Sequence, residues 1–427
     1  MRKRILVKAP ALSRSGYGEQ SRFSLRSMRS REDLFDIHLL NIPWGNTGMI
    51  AEHSEERQWL DSLILKTNQY VQECQAQGTN PQFDMSFQVT IPNEFERIAP
   101  VNIGYTAGIE TNKIAPQWIE MINNTMDKVI TISSHSKKVI EKTTYDVPNP
   151  HTGEMIKNWR VTKPVEYISY PVKDIEPDPN GVDIPFETTK NFLCVKQWGI
   201  RKNVEQTVRA FCSEFSDDPD VGLVLKLNSA NESIMDRVHT KKRLQALIHD
   251  FPDRKCKIYL VHGQLSEEQM TWLYQHPTMQ ALISLSHGEG FGLPLFEASY
   301  NSLPIVTVTW GGQMDFICRP NKKGKQVPRV ARVDYDLAPV QEAARWEGVI
   351  QADSMWTYAK EASYRRALRE VIDKPVHFKN QAKALKKYVD TNFSKEGQYA
   401  KFVSLIVDET EVDVNEWLEG FDLEVHD

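Results

Sequence analysis

Two glutamates, Glu289 and Glu297, stand eight positions apart in the stretch SHGEGFGLPLFEAS, Ser286–Ser299. Glycines at 288, 290 and 292 crowd the first, whereas the second sits among apolar residues. Glycine allows main chain to approach a ligand closely. The preceding run QALISLS reads as a buried strand, and Pro294 suits the first turn of a following helix, where its missing N–H is harmless. Free N–H groups around Gly292 to Leu295 are then expected to point back at the loop and favour an anion. One turn into that helix, Glu297 offers two acceptor oxygens to a ribose diol, while Glu289 at the strand exit can meet a second hydroxylated group. A solvated loop charge at Glu289 and a helix-dipole partner at Glu297 are the plainer alternative.

Cations precede these carboxylates. In NFLCVKQWGIRKNVEQTVRAF, Lys196 ends a strand candidate and Lys202 falls where the next helix begins. An exposed cation there faces the positive end of the helix dipole, a mismatch of roughly 0.3–1 kcal/mol that a bound phosphate reverses. Arg201 and Lys202 simply pointing into water would explain the same sequence. After the first strand, SRSGYGEQSR places Gly16 and Gly18 where backbone N–H groups can face a diphosphate, although a tight turn accounts for them equally well.

The elements that must hold these residues follow from an alternation of β-rich apolar runs with helical-period segments, the signature of parallel α/β layers. RILVKAP, FDIHLLNI, FDMSFQVT, VNIGYTAG, KVITISS and VEYISYPV are the strand candidates of the first half, with helices beginning near Glu19, Pro116 and Ser134. The turn-rich VKDIEPDPNGVDIPFETTK interrupts this pattern and marks a connection. Alternation resumes with NFLCVKQ, VGLVLKLN, KIYLVHG, QALISLS and PIVTVTW, and SEEQMTWLYQH opens with a capping box, Ser266 and Gln269. From Trp356 onward the chain reads as helices. The expected division is two doubly wound domains, 1–178 and 186–375, and a helical tail, 376–427. In such sheets ligands bind at the carboxyl ends of the strands, which is where every candidate residue falls.

Composition narrows the class without naming an activity. The 427 residues are 40% hydrophobic and 26% charged, as in globular proteins with two cores. No apolar run is long enough for a membrane span, and MRKRILVKAPAL reads as a first strand rather than a leader. Five scattered cysteines suggest reduced thiols and a cytoplasmic setting. A net charge of −5 gives no global attraction to nucleic acid.

The stretch EGFGLPLFEA resembles the E-x7-E motif of retaining glycosyltransferases of the GT-B fold, especially family 4, the glycosyl transferases group 1. The resemblance implies two Rossmann-like domains facing across a cleft, with the tail helices crossing back to the first. It implies that Glu289 contacts the donor sugar and Glu297 the ribose, with Gly290, Phe291, Gly292 and Leu293 in the same nucleotide-sugar site. It puts Lys196 and Lys202 on the donor diphosphate, although the family has Arg at the first position and lysine cannot form its bidentate fork. VHG resembles the segment whose backbone meets the base, at His262 and Gly263, and TVTWGGQMDF resembles a Gly-Gly-x-x-Glu loop with Asp315 at the acidic position. Many members carry a first-domain His near the reacting centre. Here the region reads GYTAGIETN, and Glu110 is the nearest polar candidate, either orienting a substrate or serving as a surface charge.

The implied reaction moves a sugar from a nucleotide diphosphate sugar, such as a UDP- or GDP-sugar, to an acceptor hydroxyl with retention and without a metal. The acceptor is expected to be a glycan or lipid-linked sugar, with hydroxylated bases of DNA as the alternative. Rival readings are an epimerase or hydrolase on the same scaffold, or a non-catalytic binding module. The triplet Asp334–Asp336, two glycosylation sequons and the isolated His135, His262 and His287 lack the context for chemistry of their own. Arg22, Arg26 and Arg29 form a basic helix face, solvated or steering an acidic acceptor.

Overall fold

The structure, a computed structural model, describes residues 2–149 and 152–407. The last two residues of EGQYAKFVSLIVDE, and the expected tail beyond them, lie outside the described residues. Among these residues, two six-stranded parallel sheets form the frame. The first contains β1 (Lys3–Ala9), β2 (Phe35–Asn41), β3 (Met85–Val89), β4 (Val101–Thr106), β5 (Lys128–Thr131) and β6 (Val165–Tyr167), ordered β2-β1-β3-β4-β5-β6. The second contains β7 (Lys190–Gln197), β8 (Val221–Asn228), β9 (Lys257–Val261), β10 (Met279–Ser284), β11 (Ile305–Val308) and β12 (Ala331–Val333), ordered β9-β8-β7-β10-β11-β12. Strands such as β3, MSFQV, are buried at every position, as parallel strands covered on both faces must be. In both sheets the order reverses beside the first strand, opening a crevice between β1 and β3 and between β7 and β10.

Twelve α-helices accompany the sheets among the described residues: α1 (Gly16–Arg29), α2 (Glu55–Ala76), α3 (Pro116–Thr125), α4 (Ser134–Lys142), α5 (Val204–Glu214), α6 (Ile234–Ile248), α7 (Glu267–Gln275), α8 (Leu293–Tyr300), α9 (Met314–Ile317), α10 (Glu361–Asp373), α11 (Pro375–Asn392) and α12 (Lys395–Ile406). Helix α7 has the expected capping box, with Ser266 and Gln269 each satisfying the other's backbone N–H. Helix α1 begins three residues earlier than the sequence suggests, because Ser15 caps it by accepting from the Gly18 N–H. No helix among the described residues is long and apolar enough to cross a membrane.

The chain passes between the two halves twice, along residues 171–189 and again near Phe393. These passages touch: the Val172 N–H donates to the Phe393 carbonyl at 2.8 Å. Beyond the second passage, α12 packs on the first half. Phe402, wholly buried, contacts Phe23, Phe87 and Tyr105 with ring centroids 5.5, 5.4 and 6.1 Å away. Phe402→Ala should therefore cost about 3–5 kcal/mol, read as a lower denaturant midpoint for the first half.

Candidate active site

The crevice between β7 and β10 is lined by two loops singled out in the sequence, those that follow these strands. At the end of β7, Lys196 is buried, and its Nζ donates to the Lys202 carbonyl at 2.6 Å. That bond fastens a short 3-10 turn, Ile200–Lys202, which enters α5 through Asn203 in the left-handed conformation, φ 52°. Burial lowers the Lys196 ammonium to about 8, helped by the neighbouring charge of Lys202 and Arg201. The turn is tied to the next loop as well, since the His287 N–H donates to the Arg201 carbonyl at 2.9 Å.

Across the switch point, Glu289 does not stand free as the sequence reading expected. Lys202 Nζ lies 2.6 Å from its Oε1, and Arg201 Nη1 lies 3.2 Å from its Oε2. The same Arg201 Nη1 donates to the Gly288 carbonyl at 2.8 Å, and Nη2 pairs with Glu110 of the first half at 3.3 Å. Burial alone would raise the Glu289 carboxyl, but Lys202 and Arg201 outweigh it and hold the group at about 2. Two carboxylates, one from each half, thus share two cations at the cleft.

The glycines of this loop make room for protein as well as for any ligand. A Cβ on Gly288 would fall 1.8 Å from the Glu110 carbonyl oxygen, and one on Gly290 would fall 2.3 Å from that of Ala107. The loop after β4 therefore lies directly on the loop after β10. Further contacts join the halves on the same side: Asn112 donates its N–H to the Met355 carbonyl and accepts the Met355 N–H, at 3.1 and 2.7 Å. Lys113 also pairs with Asp353.

Glu297 lies inside α8, where Tyr274 donates its hydroxyl to Oε2 at 2.6 Å. Burial raises the carboxyl to about 7, against the Tyr274 bond and the charge of Lys173. The folded state thus holds this proton above the ordinary value of 4.5. Between those two limits the folded chain binds more protons than the unfolded one, so this group makes stability fall as pH rises and level off above about 7. Glu297→Gln should flatten that segment of the curve, read as the difference in melting temperature between the two proteins from pH 5 to 8.

Other expected residues are placed differently from the sequence reading. Gly16 and Gly18 belong to the first turn of α1 rather than to a free loop, and the Gly18 N–H is taken by Ser15 Oγ at 3.1 Å. Gly16 alone has open space beside it. The Leu295 N–H bonds the Gly292 carbonyl at 3.0 Å, so it is not among the free donors; Gly292, φ 93°, and Leu293 open the helix. Phe291 is a core residue packed on Tyr170, Phe296 and Phe316. His262 is buried against Asp236, Nε2 to Oδ2 2.8 Å, while the Gly263 carbonyl accepts from Lys226 at 2.7 Å. Asp315 reaches the opposite half, where it accepts the N–H of Ser134 at 2.7 Å and its hydroxyl at the start of α4.

Sequence reasoning passed over Arg201, whose importance is visible only once Glu110 and Glu289 meet it. It also set aside His135, which stands edge-on to Trp310 with centroids 4.8 Å apart and has no partner for Nε2. Trp310 also lies 3.2 Å from the Cβ position of Gly288, which puts this pair beside the glutamate loop.

No family model matches the sequence. Over 198 residues the chain is 23% identical to the serotype-specific mannosyltransferase WbdA of Escherichia coli, a match covering 45% of this chain and 22% of that protein. The chain thus spans about a fifth of the length of the curated relatives it matches. Among solved structures it superposes on sucrose-phosphate synthase from Thermosynechococcus elongatus with a TM-score of 0.60 at 13% identity, covering 98% of this chain and all of the other. HepE of Anabaena, in complex with UDP and glucose, gives 0.56 at 11% identity, with 95% and 99% covered. A glycosyltransferase from Rickettsia africae gives 0.56 at 13% identity, with 98% and 100% covered.

Proposed function

From the GT-B fold, which these whole-chain superpositions establish, we propose that the chain is a glycosyltransferase. It moves a sugar from a nucleotide diphosphate sugar to an acceptor hydroxyl, with retention of anomeric configuration and without a metal ion. The observation that carries this reading is the meeting of Lys202, Arg201, Glu289 and Glu110 at the β7/β10 crevice, where such sheets bind nucleotides. Glu289 serves the donor sugar, Glu297 the ribose, and Lys202 the diphosphate. UDP and glucose bound to HepE, and the mannosyltransferase activity in the name of WbdA, accord with that choice of donor class.

In the transfer, the bond from anomeric carbon to diphosphate oxygen breaks and negative charge grows on the leaving group. Lys202 and the backbone amides of Gly292 and Leu293 at the start of α8 stabilise that charge, and they are positioned before reaction begins. The departing phosphate accepts the proton of the acceptor hydroxyl as the new bond forms on the same face. The acceptor is a glycan or lipid-linked sugar, and the protein works in the cytoplasm.

The test incubates the protein with UDP- and GDP-sugars and measures nucleoside diphosphate release with and without candidate acceptors. Release that depends on acceptor, a product of unchanged anomeric configuration by proton NMR, and activity surviving a chelator support the reading. Conversion of donor without acceptor would identify an epimerase or hydrolase, and binding without turnover a non-catalytic module.

A further inference from the structure

We propose that Arg201 supplies the two-pronged contact to the donor diphosphate, and that Lys196 is instead a positioning residue for the turn that presents it. This rests on the glycosyltransferase reading and assigns a role within its site.

Lys196 is committed elsewhere. Its Nζ donates to the Lys202 carbonyl at 2.6 Å from a buried position, so its ammonium braces the Ile200–Lys202 turn from beneath. Its length is used in reaching that carbonyl. Arg201 is placed differently. Its guanidinium extends from the turn into the crevice and already grips anionic oxygens of both halves, Glu289 Oε2 at 3.2 Å and Glu110 Oε1 at 3.3 Å.

The way Glu289 is held describes the ligand. Its two oxygens are divided between Lys202 and Arg201, one cation on each. A phosphate presents a similar edge of two oxygens, and a planar guanidinium beside an ammonium matches that edge. Three cations, Lys196, Arg201 and Lys202, stand against two carboxylates, Glu110 and Glu289, leaving an excess of positive charge for an incoming anion. On binding, Arg201 exchanges carboxylate partners for phosphate oxygens.

The platform is rigid enough for this role. The Arg201 carbonyl accepts the His287 N–H, His287 Nδ1 lies 2.6 Å from the Thr357 carbonyl, and the Thr357 N–H returns to the His287 carbonyl at 2.9 Å. Arg201 Cα is thereby fixed to two neighbouring loops while its side chain remains able to change partners.

The experiment measures binding of UDP, UMP, GDP and GMP by calorimetry to the wild type, Arg201→Lys, Arg201→Met, Lys196→Arg, the double variant Lys196→Arg/Arg201→Met, and Glu110→Gln, with melting temperatures recorded for each. Arg201→Lys and Arg201→Met should weaken the diphosphate that the wild type binds by roughly tenfold to a hundredfold, the size expected for charged hydrogen bonds. The matching monophosphate should change less than about twofold, a contrast that a purely structural defect would not produce. Lys196→Arg should neither tighten the diphosphate nor rescue Arg201→Met. Unchanged diphosphate affinity in Arg201→Lys overturns the assignment, as does rescue by Lys196→Arg. A Glu110→Gln loss equal to that of Arg201→Lys would show that Arg201 only bridges the halves. If the wild type binds neither UDP nor GDP, the glycosyltransferase reading itself fails and this assignment with it.

Discussion

Lys202→Ala should lower turnover by roughly two to three orders of magnitude, the loss typical when one preorganised partner of a developing charge is removed. Lys202 Nζ sits 2.6 Å from Glu289 and on the turn that Lys196 fastens. Charge on a leaving diphosphate is greatest in the transition state, so the deficit should appear in kcat more than in donor affinity. The deletion also leaves Glu289 with Arg201 as its remaining cation, which lets its carboxyl rise from about 2 and weakens its hold on geometry. Single-turnover rates beside donor-binding measurements would check the first point, and a melting temperature lowered at neutral pH the second. A variant with wild-type kcat would remove Lys202 from the chemistry.

The second large effect is expected from a single methyl group. In Gly288→Ala the new Cβ would lie 1.8 Å from the Glu110 carbonyl oxygen, a backbone atom of the other half. No rotamer relieves that overlap, so the loops after β4 and β10 must part. Misplacement on the ångström scale is enough to cost about a hundredfold in rate. The strain falls on the two facing loops, so the melting temperature should change far less than kcat/KM. Gly312→Ala provides the contrast. Its Cβ would meet the Gly290 carbonyl at 1.8 Å, but both residues belong to the second half and cannot separate. That variant should lose stability together with activity, and circular dichroism melts beside initial rates distinguish the two cases.

What was legible in the sequence was whatever depends on near neighbours. The Ser266–Gln269 cap, the buried strand before Glu289 and the helix opened by Pro294 all rest on contacts within a few positions, and the structure contains each of them. Lys196 near the end of β7 and Lys202 just ahead of α5 stand where the sequence put them, because a strand end and a helix start are both set by near neighbours. Partnerships across the cleft left no such trace. Nothing local in GYTAGIETN shows that Glu110 meets Arg201, or that its carbonyl lies over Gly288, because those residues are brought together by how two separately folded sheets face each other. Gly18 is an exception of another kind: it read as part of a ligand loop, yet its neighbour is the carbonyl of Ser13, only five residues back and 1.8 Å from its Cβ position. Asp315 fits an acidic position in a resembled loop, yet here it fastens the start of α4. Helix α6 escaped notice because Ile234 and Met235, at 81% and 78% exposure, break the amphipathic pattern that would have announced it.

The bond from Val172 to Phe393 joins the only two covalent routes between the halves among the described residues. Two such routes laid side by side act as a hinge with one easy swing, and motions that slide or twist the sheets past each other would have to break it. Opening would lift the loop after β4 away from Gly288 like the free edge of a cover, while residues nearest the spine barely travel. A small angle there would be levered into the space a sugar needs to enter.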